Sequence, residues 1–211
     1  LTMVTIPANK DELETELGQG VFSGCTKLET VTFGDTVKII PDVEYNEASY
    51  INRATYRDNG SSLSGDLSYS FFYNCTSLKT INWGKSIKSI GNIAFLNCSS
   101  LESVTIPDTV TTIGRNAFMG CTGLTNVKIG NTVESIYRMA FYGLPNLTKV
   151  IFGAKVKKVG YRAFANCVNL QNFTLPNTVQ YIETQAFAGC NKALTMVTIP
   201  ANKDELETEL G

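Results

Sequence analysis

Cys75, Cys98, Cys121, Cys167 and Cys190 stand on one evenly spaced grid, and the single grid point among them that is not cysteine is Leu144. Regularly spaced thiols could cross-link as disulfides, hold a metal as thiolates or cycle as a redox couple. The surrounding residues argue against all three. The chain has no histidine, so the commonest general base and the commonest transition-metal ligand are missing, and no C-x-x-C pair occurs. One thiol per repeat makes a parallel column whose side chains point the same way. Leu144 and Ala48 substitute within that column, so the thiols read as a buried ladder of free cysteines that pack as small hydrophobes. The acidic pairs Asp11 with Glu12 and Glu14 with Glu16 have no partnered base or nucleophile and read as a solvated face beside Leu13 and Leu17. No catalytic residue, metal site or cofactor is assigned, and the chain reads as a non-enzyme.

The grid belongs to a larger unit that must position the thiols. Phenylalanine keeps the same beat three positions earlier, at Phe72, Phe95, Phe118, Phe141, Phe164 and Phe187. Units start at Leu1, Leu28, Ile51, Leu78, Leu101, Leu124, Leu147, Leu170 and Leu194, which makes about eight units and a partial one. In L-x-x-V-x-I the last apolar positions alternate with polar ones, the period of a half-buried strand. A Pro or Gly (Pro107, Gly130, Gly153, Pro176) then ends the strand at a turn, and V-x-x-I carries the chain back across the coil. A-F-x-x-C has the spacing of one helical turn, with Phe and Cys both aimed inward. A single coil cannot bury this face, so the coils must stack into one solenoid over residues 1–211, with no domain boundary. The unit at Ile51 is the most degenerate, with Ala48 in the cysteine place and Tyr45 in the phenylalanine place, and Asn59–Gly65 reads as a projecting surface loop.

A net charge of -1, with 18 basic and 19 acidic side chains interspersed, argues against nucleic acid as a partner, because a phosphate backbone calls for clustered Lys and Arg. No apolar run approaches the roughly 20 residues that cross a bilayer, and Leu1 does not open a signal-like segment. The expectation is a soluble fragment whose targeting and anchoring segments lie outside it.

These units resemble the leucine-rich repeats of the BspA-like, or Treponema-type, surface proteins, whose unit looks like C-x-x-L-x-x-V-x-I-P-x-x-V-x-x-I-G-x-x-A-F. Cys98, Leu101, Val104, Ile106, Pro107, Val110, Ile113, Gly114, Ala117 and Phe118 carry the likeness almost letter by letter. The resemblance implies a mainly β repeat solenoid, with leucine-rich repeats of about 23 residues, one strand per coil and short helical turns. It also implies a cell-surface or secreted protein that adheres to a host or cell-surface protein or glycan.

The second and fourth residues after each leading Leu should face solvent. They are Thr30 and Thr32, Arg53 and Thr55, Thr80 and Asn82, Ser103 and Thr105, Asn126 and Lys128, Lys149 and Ile151, Asn172 and Thr174. Threonine favours strands for its own sake, so this row could be only a solvated face. Read functionally, it is the ligand platform on the concave sheet face, with Arg53, Lys79, Lys128 and Lys149 favouring an acidic or glycan-bearing partner. The alternative is a structural spacer rod that displays other domains and has no ligand of its own. Asn59, Asn74, Asn97, Asn146 and Asn172 each open an N-x-S/T triplet, which a eukaryotic secretory source would glycosylate; for Asn74 and Asn97 the triplet follows from the repeat turn itself. Residues 1–18 recur unchanged as residues 194–211. That suggests either a tandem array of 193-residue blocks or a duplicated terminal cap. In the array reading both solenoid ends are open, and their unpaired strands could self-associate head to tail.

Overall fold

Two apolar runs separated by Pro or Gly make each repeat bend back on itself, and the computed structural model traces that path through residues 1–6, 20–40, 55–56, 63–64, 70–199 and 207–208. In chain order its strands are β1 (Met3–Ile6), β2 (Thr30–Phe33), β3 (Ile39–Ile40), β4 (Thr55–Tyr56), β5 (Leu63–Ser64), β6 (Thr80–Asn82), β7 (Ser89–Ile90), β8 (Ser103–Thr105) and β9 (Thr112–Ile113). They continue with β10 (Asn126–Lys128), β11 (Ser135–Ile136), β12 (Lys149–Ile151), β13 (Lys158–Val159), β14 (Phe173–Thr174), β15 (Tyr181–Ile182), β16 (Val197–Thr198) and β17 (Glu207–Thr208).

The L-x-x-V-x-I segments form a front column of parallel strands, in the runs β1-β2-β6, β8-β10-β12 and β14-β16. Its register advances by one repeat per coil, Val104 beside Val127 and Val127 beside Val150. Each coil also carries a second strand. The end of V-x-x-I pairs in parallel with its neighbours, so β3, β7, β9, β11, β13, β15 and β17 make a continuous seven-stranded back column. One strand per coil was therefore an undercount: two positions of V-x-x-I are enough to join a ladder when the coils above and below hold the same segment in register.

Among the described residues there is no helix, and none is therefore long and apolar enough to cross a membrane. The A-F-x-x-C segment is a run of tight turns, in which the Cys121 N–H donates to the Phe118 carbonyl three positions back. The Phe118 N–H instead donates to Ala140 in the next coil, and the Phe141 N–H to Ala163. Left-handed residues bracket the segment and stop a helix from propagating: Asn116 at φ 56 before it and Gly120 at φ 72 within it. Asn74 and Asn97, at φ 60 and 62, share the place of Gly120. This backbone demand accounts for the asparagine of both N-C-T and N-C-S, because Asn tolerates that conformation better than most side chains.

The largest departure from the regular repeat spacing lies between Ile40 and Ser70. β2 pairs directly with β6, Val31 beside Ile81, and β3 pairs directly with β7, Ile40 beside Ile90. Phe72 stacks on Phe22 with ring centroids 5.5 Å apart, and the Cys75 thiol donates to the Phe22 carbonyl. Coil neighbours here are thus 50 residues apart, as in the Lys79–Glu29, Asn82–Thr32 and Lys85–Asp35 contacts. No strand intervenes between β2 and β6, or between β3 and β7. Thr55–Tyr56 instead pairs antiparallel with Leu63–Ser64. The other positions of the loop expected over Asn59–Gly65 lie outside the described residues, as do Tyr45 and Ala48.

One apolar core runs from Ile6 to Cys190. Its axis is the phenylalanine column, in which Phe95, Phe118, Phe141 and Phe164 follow one another at 5.1 to 5.3 Å with nearly parallel rings. That separation suits offset stacking and follows from the strand spacing of about 4.8 Å.

Candidate functional site

The thiol column is buried and every cysteine is free. Each thiol in the column does more than fill space: Cys98, Cys121, Cys167 and Cys190 donate to the carbonyls of Phe72, Phe95, Phe141 and Phe164, each one coil earlier, at 3.1 to 3.3 Å. Burial pushes the Cys75 thiol from 9.0 up to about 12 and holds Cys98 well above its usual value. So raised, these two thiols stay protonated at neutral pH and are poor nucleophiles, whereas the hydrogen bond with Cys167 lowers Cys190 at the end of the column. Among the described residues no three His, Cys, Asp or Glu side chains are grouped to share a metal ion.

The raised value also sets a pH dependence. The folded chain holds this proton more tightly than the unfolded chain does, so the stabilisation is complete below pH 9.0 and is lost as pH rises toward about 12. Urea titrations across that window are expected to show falling stability, with a shallower fall for Cys75→Val. An unchanged slope in the variant would assign the loss to other groups.

The front face keeps the alternation its sequence implies, since β8, β10 and β12 each show an exposed, buried, exposed pattern. Lys149 sits beside Asn126, and Lys128 beside Ile151. Ile151 leaves 45% of its surface open, in a row otherwise made of hydroxyls, amides and lysines. Thr80 and Asn82 sit beside Thr30 and Thr32, and the Asn82 amide donates to the Thr32 hydroxyl at 3.0 Å. Asn172 turns toward the following coil, where it bonds Thr195 and the Met196 amide.

Not all the expected site residues belong to this face. Thr55 lies in the antiparallel β4–β5 pair and not in the front column, where β2 pairs directly with β6; Arg53 lies outside the described residues. Lys79 pairs with Glu29 at 3.3 Å. Such an exposed pair adds little stability, but it answers the charge of Lys79 locally. Of the basic cluster this leaves Lys128 and Lys149, on adjacent strands, with no carboxylate partner among the described residues.

A second surface lies outside the front-face row. Where the chain leaves the back column, the Arg138 guanidinium lies 4.7 Å from the centre of the Tyr161 ring, and Arg162 lies 5.1 Å from it. Tyr137 and Tyr181 are exposed nearby in sequence and fold. Glu183 ties the patch down by accepting the Tyr161 N–H at 2.7 Å and pairing with Lys158 at 2.5 Å. A signal for it existed in the sequence. The dipeptide Tyr-Arg occurs at 137–138 and again at 161–162, one position further on than the repeat step, so Arg138 falls opposite Tyr161.

A profile of the BspA type leucine rich repeat region matches residues 1–102 and 88–210, with six copies of the repeat. No curated protein sequence matches the chain. Solved structures do. A leucine-rich repeat protein from Bacteroides ovatus is 25% identical with a TM-score of 0.53, covering 85% of this chain and 46% of its own. The Treponema pallidum leucine rich repeat protein is 27% identical with a TM-score of 0.53, covering 80% of this chain and 78% of its own. A leucine-rich repeat protein from Eubacterium ventriosum shares the fold at 18% identity and a TM-score of 0.51, covering 95% of this chain and 61% of its own. The chain thus spans about half the length of the Bacteroides ovatus protein.

Proposed function

The chain belongs to the BspA-type leucine-rich repeat family, and from that premise we propose that it is a non-enzymatic binding module of the cell surface or extracellular space, holding a macromolecular ligand along its front face. The observation that carries this reading is the group Lys128, Lys149 and Ile151 on β10 and β12: two cations without carboxylate partners among the described residues, beside an open aliphatic side chain, on a rigid and regular lattice. A flat sheet with spaced cations and an apolar contact suits an acidic protein surface or an anionic glycan, which it would meet over a wide area and not in a pocket. The family model and the solved structures named above are of leucine-rich repeat proteins, which supports a binding role.

The Arg138, Tyr161, Arg162 patch supports a second location for the same function, since tyrosine and arginine are among the side chains most often found at interface hot spots. One experiment separates the two. Binding to heparin and to matrix proteins is measured for the chain, for Lys128→Glu with Lys149→Glu, and for Arg138→Glu with Arg162→Glu. The front-face reading expects roughly tenfold weaker binding, about 1.4 kcal/mol, from the lysine pair and little change from the arginine pair. The reverse result moves the site to the back edge. A native chain that binds none of these probes would favour the spacer role.

A further inference from the structure

The duplicated segment is used twice in the fold, by opposite edges. As residues 1–6 it pairs with the coil after it: Thr2 accepts hydrogen bonds from the Glu29 and Thr30 amides, and Ile6 from the Gly34 amide. As residues 194–199 it pairs with the coil before it, where the Leu175 amide donates to Thr198 and Asn172 receives the amides of Thr195 and Met196 at 2.9 Å. Each copy is consequently covered on one side alone. Ile6 is 3% exposed while its twin Ile199 is 42% exposed, and Leu1 is 69% exposed while its twin Leu194 is half-buried.

We propose that a second copy of this chain seats its N-terminal coil on the coil of Asn172, in place of residues 194–211. Asn172, Phe173 and Leu175 cannot distinguish the two segments, because their sequences are identical. The incoming segment would be covered on both edges, by its own β2 and by the other chain's β14. It also brings the apolar residues of its own coil to the joint. Phe22 and Phe187 are the half-buried ends of the phenylalanine column, each stacked on one side only. Val21 is 56% exposed beside Phe22, and Cys25 is the half-buried first member of the thiol series. Seating one coil on the other would continue both columns across the joint and cover these apolar ends. That gain favours exchange over keeping the chain's own segment in place, at a concentration high enough to offset the local advantage of the tethered copy.

The test uses the whole 211-residue chain with exposed cysteines added. Chains carrying Asn172→Cys are mixed with chains carrying Thr2→Cys under mild oxidation, and mass by light scattering is followed against concentration for the unmodified chain. The expected results are a mixed disulfide between positions 172 and 2, and an average mass that rises with concentration. A chain carrying both Asn172→Cys and Thr195→Cys, its own segment locked in place by an intrachain disulfide, should remain monomeric. The proposal is overturned if the unmodified chain stays monomeric throughout with no mixed disulfide, or if the locked chain assembles as readily.

Discussion

Replacing Phe141 by alanine is expected to cost about 3 to 5 kcal/mol, the usual range for a fully buried phenylalanine. Its ring is fully buried and lies between Phe118 at 5.2 Å and Phe164 at 5.1 Å, with interplanar angles of 2° and 9°. Truncation removes the ring's burial and both stacking contacts, and leaves a gap that the coils cannot close. Collapse would require the front and back ladders to shorten at one coil, and both are held in register by their neighbours. The loss is a large fraction of the total stability of an ordinary domain, about 5 to 15 kcal/mol. In a solenoid each coil touches only its neighbours, so a defect in the middle also weakens the coupling between the two halves. A urea melt of Phe141→Ala is therefore expected to shift to lower denaturant and to broaden or split, while Phe141→Leu keeps a single transition. A single unshifted transition for the alanine variant would refute the central role given to the ring column.

Gly153→Ala is expected to be nearly as damaging although it adds only a methyl group. A Cβ at Gly153 would lie 2.0 Å from the Gly130 carbonyl oxygen and 2.6 Å from its carbon. Both obstacles are backbone, so no side chain can swing away, and the two coils would have to separate where β10 meets β12. A cost above about 3 kcal/mol places the substitution in the tail of single-residue effects. For a chain of this size it lowers the melting temperature by about 6 to 12 °C. Gly143→Ala supplies the contrast. It has φ +71 but nothing within 4 Å of the added Cβ, so only the left-handed backbone penalty of about 1 to 2 kcal/mol applies. If the two variants melted together, coil-to-coil approach would not be the reason for glycine at position 153.

Much of this was legible in the sequence because it is local. A strand alternates, Pro or Gly turns it, and Phe and Cys repeat on the same beat; each coil states its own buried face, and Leu101, Val104, Ile106, Val110, Ile113, Phe118 and Cys121 are all buried as their pattern implied. The exposed places of Lys128, Lys149 and Ile151 were legible for the same reason. The turn conformation of A-F-x-x-C was less so. Its i to i+4 spacing fits a helix, and only the hydrogen bonds offered by the next coil, with the left-handed residues Asn116 and Gly120, turn it into something else.

The residues of this chain by themselves determined a repeating coil with a defined inner face, since burial in each coil depends on side chains a few positions apart. Which coil lies against which was decided only in three dimensions. The spacing placed a coil from Ile51 after that of Phe22, yet Phe22 stacks on Phe72, Val31 lies beside Ile81, and the Cys75 thiol donates to the Phe22 carbonyl. Neighbourhood, unlike periodicity, is settled by competition among all segments able to cover an open coil face. That is why Thr55 left the row assigned to it, and why the two identical segments are covered on opposite edges, one by β2 and the other by β14.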